Sequence, residues 1–170
     1  LYGFRIAMTF AIGYLVLTYL IAIAAGSLMG YLGGKSDMLG LRFVEIWANV
    51  PFLYMVIILV SVMPGGWGVG WQVSSLLIIM VMFSWTGMTY YIRASVYREK
   101  SRDYIAAAKV IGAGPMRIIF KHLLPNVIST LVTFAPFTIA AAISSITALD
   151  FLGYGLPPPT PSWGELLKQG

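Results

Sequence analysis

Few residues in this chain of 170 are suited to covalent chemistry, because it has one histidine, six acidic residues and no cysteine. The stretch "GGKS" at 33–36 is similar to the end of a phosphate-binding loop, but that motif needs a glycine where Met29 stands and a strand before it. A single histidine and no His-Glu-x-x-His motif exclude the usual zinc chemistry. We therefore predict that the chain is not an enzyme and holds no metal or cofactor.

The basic residues are concentrated in one stretch, 93–125, which holds seven of the eleven lysines and arginines against two acids. Elsewhere four bases and four acids cancel, so this stretch carries the whole formal charge of +5. A nucleic-acid-binding protein would need such a basic face on a soluble fold. With 59% hydrophobic and 10% charged residues the chain is far from soluble composition, and we expect no nucleic-acid partner.

Four uncharged runs, at 6–34, 46–64, 69–92 and 126–149, surround this basic stretch. A helix that crosses the hydrocarbon core needs about 20 apolar residues. Helices satisfy their backbone groups internally, whereas open strands in lipid do not. The sequence therefore predicts an all-α polytopic membrane protein with four transmembrane helices.

The positive charges also predict the orientation of these helices, because loops rich in Lys and Arg stay in the cytoplasm. The stretch 93–125 is then cytoplasmic, and the uncharged connection 64–70 lies outside. Alternation places the loop with Lys35 and Arg42 inside and the segment 150–170 outside. Alternation and charge agree.

Within the basic stretch the residues predict two short helices. Ser101 is suited to cap the first helix, with Asp103 in its first turn, where the helix dipole favours an acid. Gly112 suits the left-handed position just past its end. Gly114 and Pro115 then begin the second helix, with proline at the first helical position.

The second short helix carries an apolar stripe with charges on another face. Arg117 and Lys121 form that charged face, and the stripe has helical spacing: Met116, Ile119, Phe120, Leu123 and Leu124. A helix of about ten residues is not stable alone in water, so the stripe must lie on another surface. Lipid headgroups, the chain's own helices and a groove on a partner protein all remain open.

The sequence "AAAKVIGAGPMRIIFKHLLP" at 106–125 resembles the EAA loop of permease subunits from binding-protein-dependent ABC importers. The residues in the family's pattern are Ala107, Ala108, Gly112, Leu124 and Pro125. Ala106 replaces the family's glutamate, and His122 and Asn126 are similar to the oligopeptide, dipeptide and nickel branch.

Two further segments are similar to the same family: "GYLGGKSDMLGLRFVEIWANVP" before the second span and "FLGYGLPPPTPSWGELL" after the fourth. Asp150 departs from the pattern because it stands where this branch usually has serine, and the glutamate expected near Ile146 is missing. The resemblance implies one more helix before Leu1 and one after Gly170, so we interpret the chain as part of a longer protein.

The resemblance implies the MetI-like architecture of ABC type I importer permeases, with 1–170 as one permease domain in the bacterial inner membrane. The resemblance implies that such a subunit forms half of a pathway, here in a heterodimer with a second permease. It receives solute from an external binding protein. Separate cytoplasmic ATPase subunits bind the ATP that drives transport. Short peptides are the leading solute, with nickel complexes or another small solute next. The alternative function is a channel or scaffold subunit whose basic loop binds lipid headgroups.

In that family the loop fits into a cleft of the ATPase, which implies a coupling role for 93–125 here. In a loop that moves with the ATPase, Gly112 would be a hinge and Pro125 would end the moving segment. Their simpler structural roles are a helix cap for Gly112 and a helix stop for Pro125. A packing role for His122 is more plausible than metal binding. Arg117 and Lys121 suit either acids on an ATPase or anionic lipid. The expected coupling residues are Ala107, Ala108, Gly112, Gly114, Arg117, Lys121, His122, Leu124 and Pro125.

Overall fold

A computed structural model describes residues 2–64, 66, 68–156 and 161–169, and every regular element in these ranges is helical. Parts of two predicted external segments, Gly65 and Trp67 in the first and 157–160 in the second, lie outside the described residues. The helices are α1 (Tyr2–Leu32), α2 (Gly34–Ala48), α3 (Phe52–Ser61), α4 (Val69–Lys100), α5 (Asp103–Val110), α6 (Pro115–Arg117), a π-helical segment (Ile118–Leu123), α7 (Leu124–Leu152) and α8 (Trp163–Gln169).

Three of the four predicted spans are single helices that are long and apolar enough to cross a membrane. They run through Gly3–Leu32, Val69–Lys100 and Pro115–Leu152, with 30, 32 and 38 residues. At 1.5 Å per residue each exceeds the roughly 30 Å of the hydrocarbon core. The extra length of the last two extends into the basic stretch, beyond the runs that composition alone marked.

The second predicted span, 46–64, is not one continuous helix. The chain forms α2 and α3 instead, and the helical conformation is interrupted between Ala48 and Phe52. Pro51 has φ −65° and ψ 105° at the start of α3, and proline also disfavours the helical conformation at the residue before it. Only the broken pair of helices together is long enough to make a fourth span.

The described residues group into two compact units. One comprises the described residues of Leu1–Thr18, Val50–Ser84 and Ala135–Gly170, and the other comprises Tyr19–Asn49 and Trp85–Phe134. In the first, buried apolar side chains from α1, α3, α4 and α7 form the core, among them Phe10, Val56, Met80, Ile146 and Leu149. The second unit contains the whole of the basic stretch's helical hairpin and α2.

In the first unit a closed turn follows α7. Gly153 has φ 85°, its N–H donates to the Asp150 carbonyl, and the Tyr154 N–H donates to the Leu149 carbonyl. This pair of hydrogen bonds is the Schellman arrangement, which needs a residue in the left-handed conformation. The buried Asp150 side chain accepts a hydrogen bond from the Leu156 N–H at 2.5 Å. The acid that departs from the family pattern thus organises the turn after α7.

Candidate functional site

The first short helix of the basic stretch begins at Asp103, with Arg102 as its N-cap residue. The prediction that Ser101 caps this helix is wrong, because the Ser101 hydroxyl donates to the Arg98 carbonyl at 2.8 Å. The preceding helix α4 continues to Lys100, so the serine hydroxyl bonds backward to the last turn of that helix. The predicted acid in the first turn, Asp103, is present.

The end of α5 has the predicted left-handed glycine. Gly112 has φ 86°, its N–H donates to the Lys109 carbonyl at 2.9 Å, and the Ala113 N–H donates to the Ala108 carbonyl at 3.0 Å. These two bonds complete a Schellman motif that satisfies carbonyls the helix leaves open. Gly112 therefore sets where α5 stops and in which direction the chain leaves.

The next helix begins as predicted but does not end as predicted. Pro115 is at the first helical position after Gly114. The prediction that Pro125 ends a separate short helix is wrong, because the helix continues through it into the last span. Just before this proline the Leu124 N–H donates to the Ile119 carbonyl, five residues back, at the end of the π-helical segment. This wider turn relieves the clash that a proline ring makes with a normal helical turn.

The apolar stripe is divided between buried and exposed side chains. Ile119 and Leu123 are buried within the second unit, whereas Met116 and Phe120 are exposed. Met116 and Phe120 line an apolar groove of about 350 Å³ beside residues of α1 such as Ile23 and Leu28. The chain's own helices thus cover one side of the stripe and leave the other open.

The most exposed apolar side chains of the stretch lie where α5 ends. Val110 and Ile111 are 88% and 86% exposed, whereas Ile105 and Ala108 of the same helix are buried. We call the exposed set of Val110, Ile111, Met116 and Phe120 the apolar tip. Bulky apolar side chains left open on a hairpin mark a surface that contacts either another protein or a membrane.

The expected coupling residues fall into three groups by exposure. His122 and Leu124 are half-buried and Ala108 is buried. Exposed are Ala107, Gly112, Gly114, Arg117, Lys121 and Pro125. Within the described part of the chain neither Arg117 nor Lys121 forms an ion pair, and no cluster of three metal-binding side chains includes His122.

A side-chain network that the sequence did not predict ties α5 to its neighbours. The Tyr104 hydroxyl donates to the Glu99 carboxylate at 3.1 Å and accepts a hydrogen bond from the Asn126 amide at 3.2 Å. Burial, followed by the hydrogen bond to Glu99, raises the pKa of the Tyr104 hydroxyl above its ordinary value, so the tyrosine stays protonated and continues to donate. Residues from both sides of the hairpin thereby converge on Tyr104.

Two polar contacts fix the end of α4, from which the basic stretch begins. Arg93 binds Asp37 in the first turn of α2 through two parallel hydrogen bonds of 2.5 Å. The Lys100 ammonium donates to the Tyr31 carbonyl near the end of α1. Neither pairing could be predicted from the sequence, because 56 residues separate Arg93 from Asp37 and 69 separate Lys100 from Tyr31.

Close packing of α1 on α4 supports these contacts. A Cβ atom added to Gly26 would lie 2.8 Å from the Ile92 Cβ, and one added to Gly30 would lie 2.9 Å from the Arg93 carbonyl oxygen. The spacing "GSLMG" is the small-xxx-small pattern by which membrane helices approach closely. This signal was available in the sequence and was missed.

The last span is also joined to α4 in this unit. The Ser95 and Thr130 hydroxyls are 3.2 Å apart, within hydrogen-bond distance. The Tyr91 and Phe134 rings have their centroids 4.4 Å apart. The end of α4 is therefore in contact with α1, α2 and α7, and the apolar tip projects from a hairpin anchored on all three.

Comparisons with known proteins agree with this architecture. The family described as "Binding-protein-dependent transport system inner membrane component" matches residues 22–170. The peptidoglycan transport system permease protein YejE of Agrobacterium fabrum is 41% identical over 170 residues, which are all of this chain and 43% of the relative. The inner membrane ABC transporter permease protein YejE of Escherichia coli is 42% identical over 171 residues, covering all of this chain and 48% of the relative.

More distant relatives carry peptide transport in their names. The oligopeptide transport system permease protein OppC of Bacillus subtilis is 33% identical over 168 residues, which are 99% of this chain and 53% of the relative. This chain thus spans about half the length of the curated relatives it matches. With the family pattern matched over most of its length, the chain belongs to the inner membrane components of binding-protein-dependent transport systems.

Proposed function

We propose that this chain is the core of a permease subunit of an ABC importer, in which the basic stretch 93–125 couples the membrane helices to cytoplasmic ATPase subunits. The whole of 1–170 then acts as one permease domain, with 150–170 outside. The observation that carries the proposal is the apolar tip on its anchored hairpin. An amphipathic helical element with one covered and one open face suits the helix-in-groove mode of recognition.

Charge on the hairpin supports a protein partner. Lys109, Arg117 and Lys121 are exposed near the apolar tip and, among the described residues, have no acidic partner. An apolar centre with a charged rim is typical of protein interfaces. A cleft of an ATPase lined by apolar and acidic residues would satisfy both features.

The mechanism follows from how the hairpin is anchored. When nucleotide closes the ATPase subunits, a tip held in their clefts moves with them. The displacement reaches α4 directly through the chain, α2 through the Arg93–Asp37 pair, and α7 through the continuous helix at Pro125. A remote ligand that biases two positions of one such element is what allosteric coupling requires.

Several roles belong to partner subunits in this proposal. ATP is bound and hydrolysed by the ATPase subunits, so this chain itself is not an enzyme and needs no cofactor. A second permease completes the pathway as a heterodimer, and an external binding protein delivers solute. Short peptides are the proposed solute, because peptide transport recurs in the names of the relatives.

A second candidate function is a channel or scaffold subunit whose basic hairpin lies on lipid headgroups. Exposed cations beside apolar side chains also suit an anionic membrane surface. The two functions differ in what the apolar tip contacts, since a lipid-bound tip captures no ATPase.

Capture of ATPase subunits by the full-length permease tests the proposal. In the variant Val110→Glu a charge enters the middle of the apolar tip, and we expect ATPase capture and ATP-dependent uptake to fall at least roughly tenfold, as for loss of an interface hot spot. Val62→Glu is the matched control, because Val62 is 77% exposed at the end of α3 and is not part of the basic stretch. Equal capture by both variants and the wild type would refute the coupling role.

A further inference from the structure

A second groove in the first unit lies between the beginning of α1 and the beginning of α4. It has a volume of about 430 Å³ and is lined by Arg5, Ile6, Thr9, Phe10, Val73, Ser74 and Leu77. One guanidinium and two hydroxyl groups therefore share a groove with four apolar side chains. Nothing in the proposed coupling role uses this groove.

Two polar side chains, Arg5 and Ser74, lie toward one end of this groove, which we call its polar end. Phe10 is five residues further along α1 than Arg5, and Leu77 is three residues further along α4 than Ser74. These separations correspond to about 7.5 Å and 4.5 Å along the helix axes. Thr9 lies between Arg5 and Phe10, and its hydroxyl donates to the Arg5 carbonyl at 2.8 Å. Phe10 and Leu77 form the apolar end.

Arg5 lies at the level of a membrane surface. It is 26 residues from Tyr31, which lies near the other end of the same helix. That separation is about 39 Å along α1, close to the roughly 40–45 Å of a bilayer with its headgroups. Arg5 is exposed, and within the described residues no carboxylate pairs with it.

Below the polar end, both helices continue with exposed apolar side chains. On α1 these are Ile12 and Val16, and on α4 they are Ile78 and Met82. Ile12 follows Thr9 by three residues and Ile78 follows Ser74 by four, so each continues the face that carries the groove's hydroxyl groups. The groove therefore opens onto an apolar surface directed toward the membrane centre.

We propose that this groove binds one phospholipid, whose phosphate is held by Arg5 with Ser74 and whose acyl chain lies on Phe10 and Leu77. The planar guanidinium makes two parallel hydrogen bonds to a phosphate. Phe10 and Leu77 cannot bond the amides of a peptide, and the Thr9 hydroxyl already donates to the Arg5 carbonyl. Leaving amide groups unsatisfied costs free energy. An acyl chain has no polar groups to satisfy.

An anionic lipid such as phosphatidylglycerol is favoured over a zwitterionic one. Its net negative charge is not offset by an amine in the headgroup, so the attraction to Arg5 is larger. This inference depends on the groove alone and stands whether or not the hairpin binds an ATPase.

Native mass spectrometry of the full-length permease in phosphatidylglycerol tests the inference. We expect Arg5→Gln to retain one lipid fewer than wild type, with binding weakened roughly tenfold as for loss of a charge-assisted pair. Arg5→Lys keeps the charge without the planar fork and should retain the lipid less well than wild type. Arg42→Gln is the control, because Arg42 is an exposed arginine elsewhere in the chain.

A second experiment distinguishes a lipid phosphate from free phosphate as the bound group. Ligands are added to delipidated protein and its melting temperature is measured. Short-chain phosphatidylglycerol should stabilise wild type and Arg42→Gln but not Arg5→Gln, whereas inorganic phosphate and a short peptide should give no effect that depends on Arg5. Should Arg5→Gln not fold, Ser74→Ala provides the same comparison. Equal lipid retention by wild type and the variants, or Arg5-dependent stabilisation by the peptide, would overturn the proposal.

Discussion

Asp37 and Arg93 join the first turn of α2 to the end of α4 through a bidentate ion pair, with both N–O distances 2.5 Å. Their side chains are only 10% and 25% exposed. Arg93 lies ten residues before Asp103, where α5 begins. The pair therefore connects the proposed coupling hairpin to the helix pair that makes up the second span.

Removing one partner of this ion pair tests how much it contributes to stability and to coupling. Asp37→Asn leaves the Arg93 guanidinium with a neutral partner in a mostly buried site, and we expect a loss of about 2 kcal/mol in stability. ATP hydrolysis should continue in the assembled complex with less solute imported per ATP. Thermal unfolding and coupled uptake measure the two effects.

The control is the exposed pair of Arg42 and Glu45, in which the arginine side chain is 74% exposed. Arg42→Gln should cost less than about 0.5 kcal/mol. The double variant Asp37→Asn with Arg93→Gln should be no worse than Asp37→Asn alone, because no charge is then left unpaired. Additive losses in the double variant would show that the two residues act separately.

The close packing of α1 on α4 gives a prediction with an internal control. Gly30→Ala places a methyl group against the Arg93 carbonyl and Val96, and we expect overpacking to cost about 1–3 kcal/mol. Gly87→Ala in α4 has open space around its new methyl group and should be neutral. Unfolding of the two purified variants in detergent distinguishes them, and equal stability would contradict the packing.

Much of the fold could be predicted from the sequence, because the length of the apolar runs determines where membrane helices form and the positions of Lys and Arg determine their orientation. The π-helical segment that carries the helix through Pro125 could not, since proline by itself is a helix-breaking signal. The break at Pro51 is the opposite case, where a proline inside an apolar run did end a helix. Local sequence does not distinguish the two, because the difference lies in the turn that precedes each proline.

The sequence predicted the left-handed turn at Gly112 and the helix start at Pro115, but not the side-chain contacts that hold the hairpin to the neighbouring helices. Gly112 and Pro115 have local conformational requirements that a sequence displays directly. Tyr104, Asp37 and Lys100 find partners distant in sequence, which no local pattern encodes. Burial of Ile119 and Leu123 beside an open Phe120 likewise depends on which neighbours the fold supplies.

The left-handed turn at Gly112 gives a prediction that separates backbone geometry from side-chain size. Open space surrounds Gly112, but its φ of 86° disfavours residues with a Cβ. Gly112→Val should therefore destabilise the turn at the end of α5 by about 1–2 kcal/mol and reduce the solute imported per ATP. Asn tolerates this conformation, so Gly112→Asn should retain uptake.

The matched control for that turn is Gly114, which has an ordinary φ of −70°. Gly114→Ala should leave both ATPase capture and uptake close to wild type. Equal tolerance of valine at Gly112 and alanine at Gly114 would mean that the Schellman turn is not needed for coupling.

Cysteine cross-linking tests the central claim most directly, with any cysteine outside these 170 cysteine-free residues replaced by serine. We expect Ile111→Cys in the full-length permease to cross-link to the ATPase subunits, and the yield to change when nucleotide is added. Val62→Cys, at a position that is also strongly exposed but lies at the end of α3, should give no such product. A coupling hairpin predicts the cross-link at Ile111 alone, whereas no ATPase product at Ile111, or equal products at both positions, would contradict it.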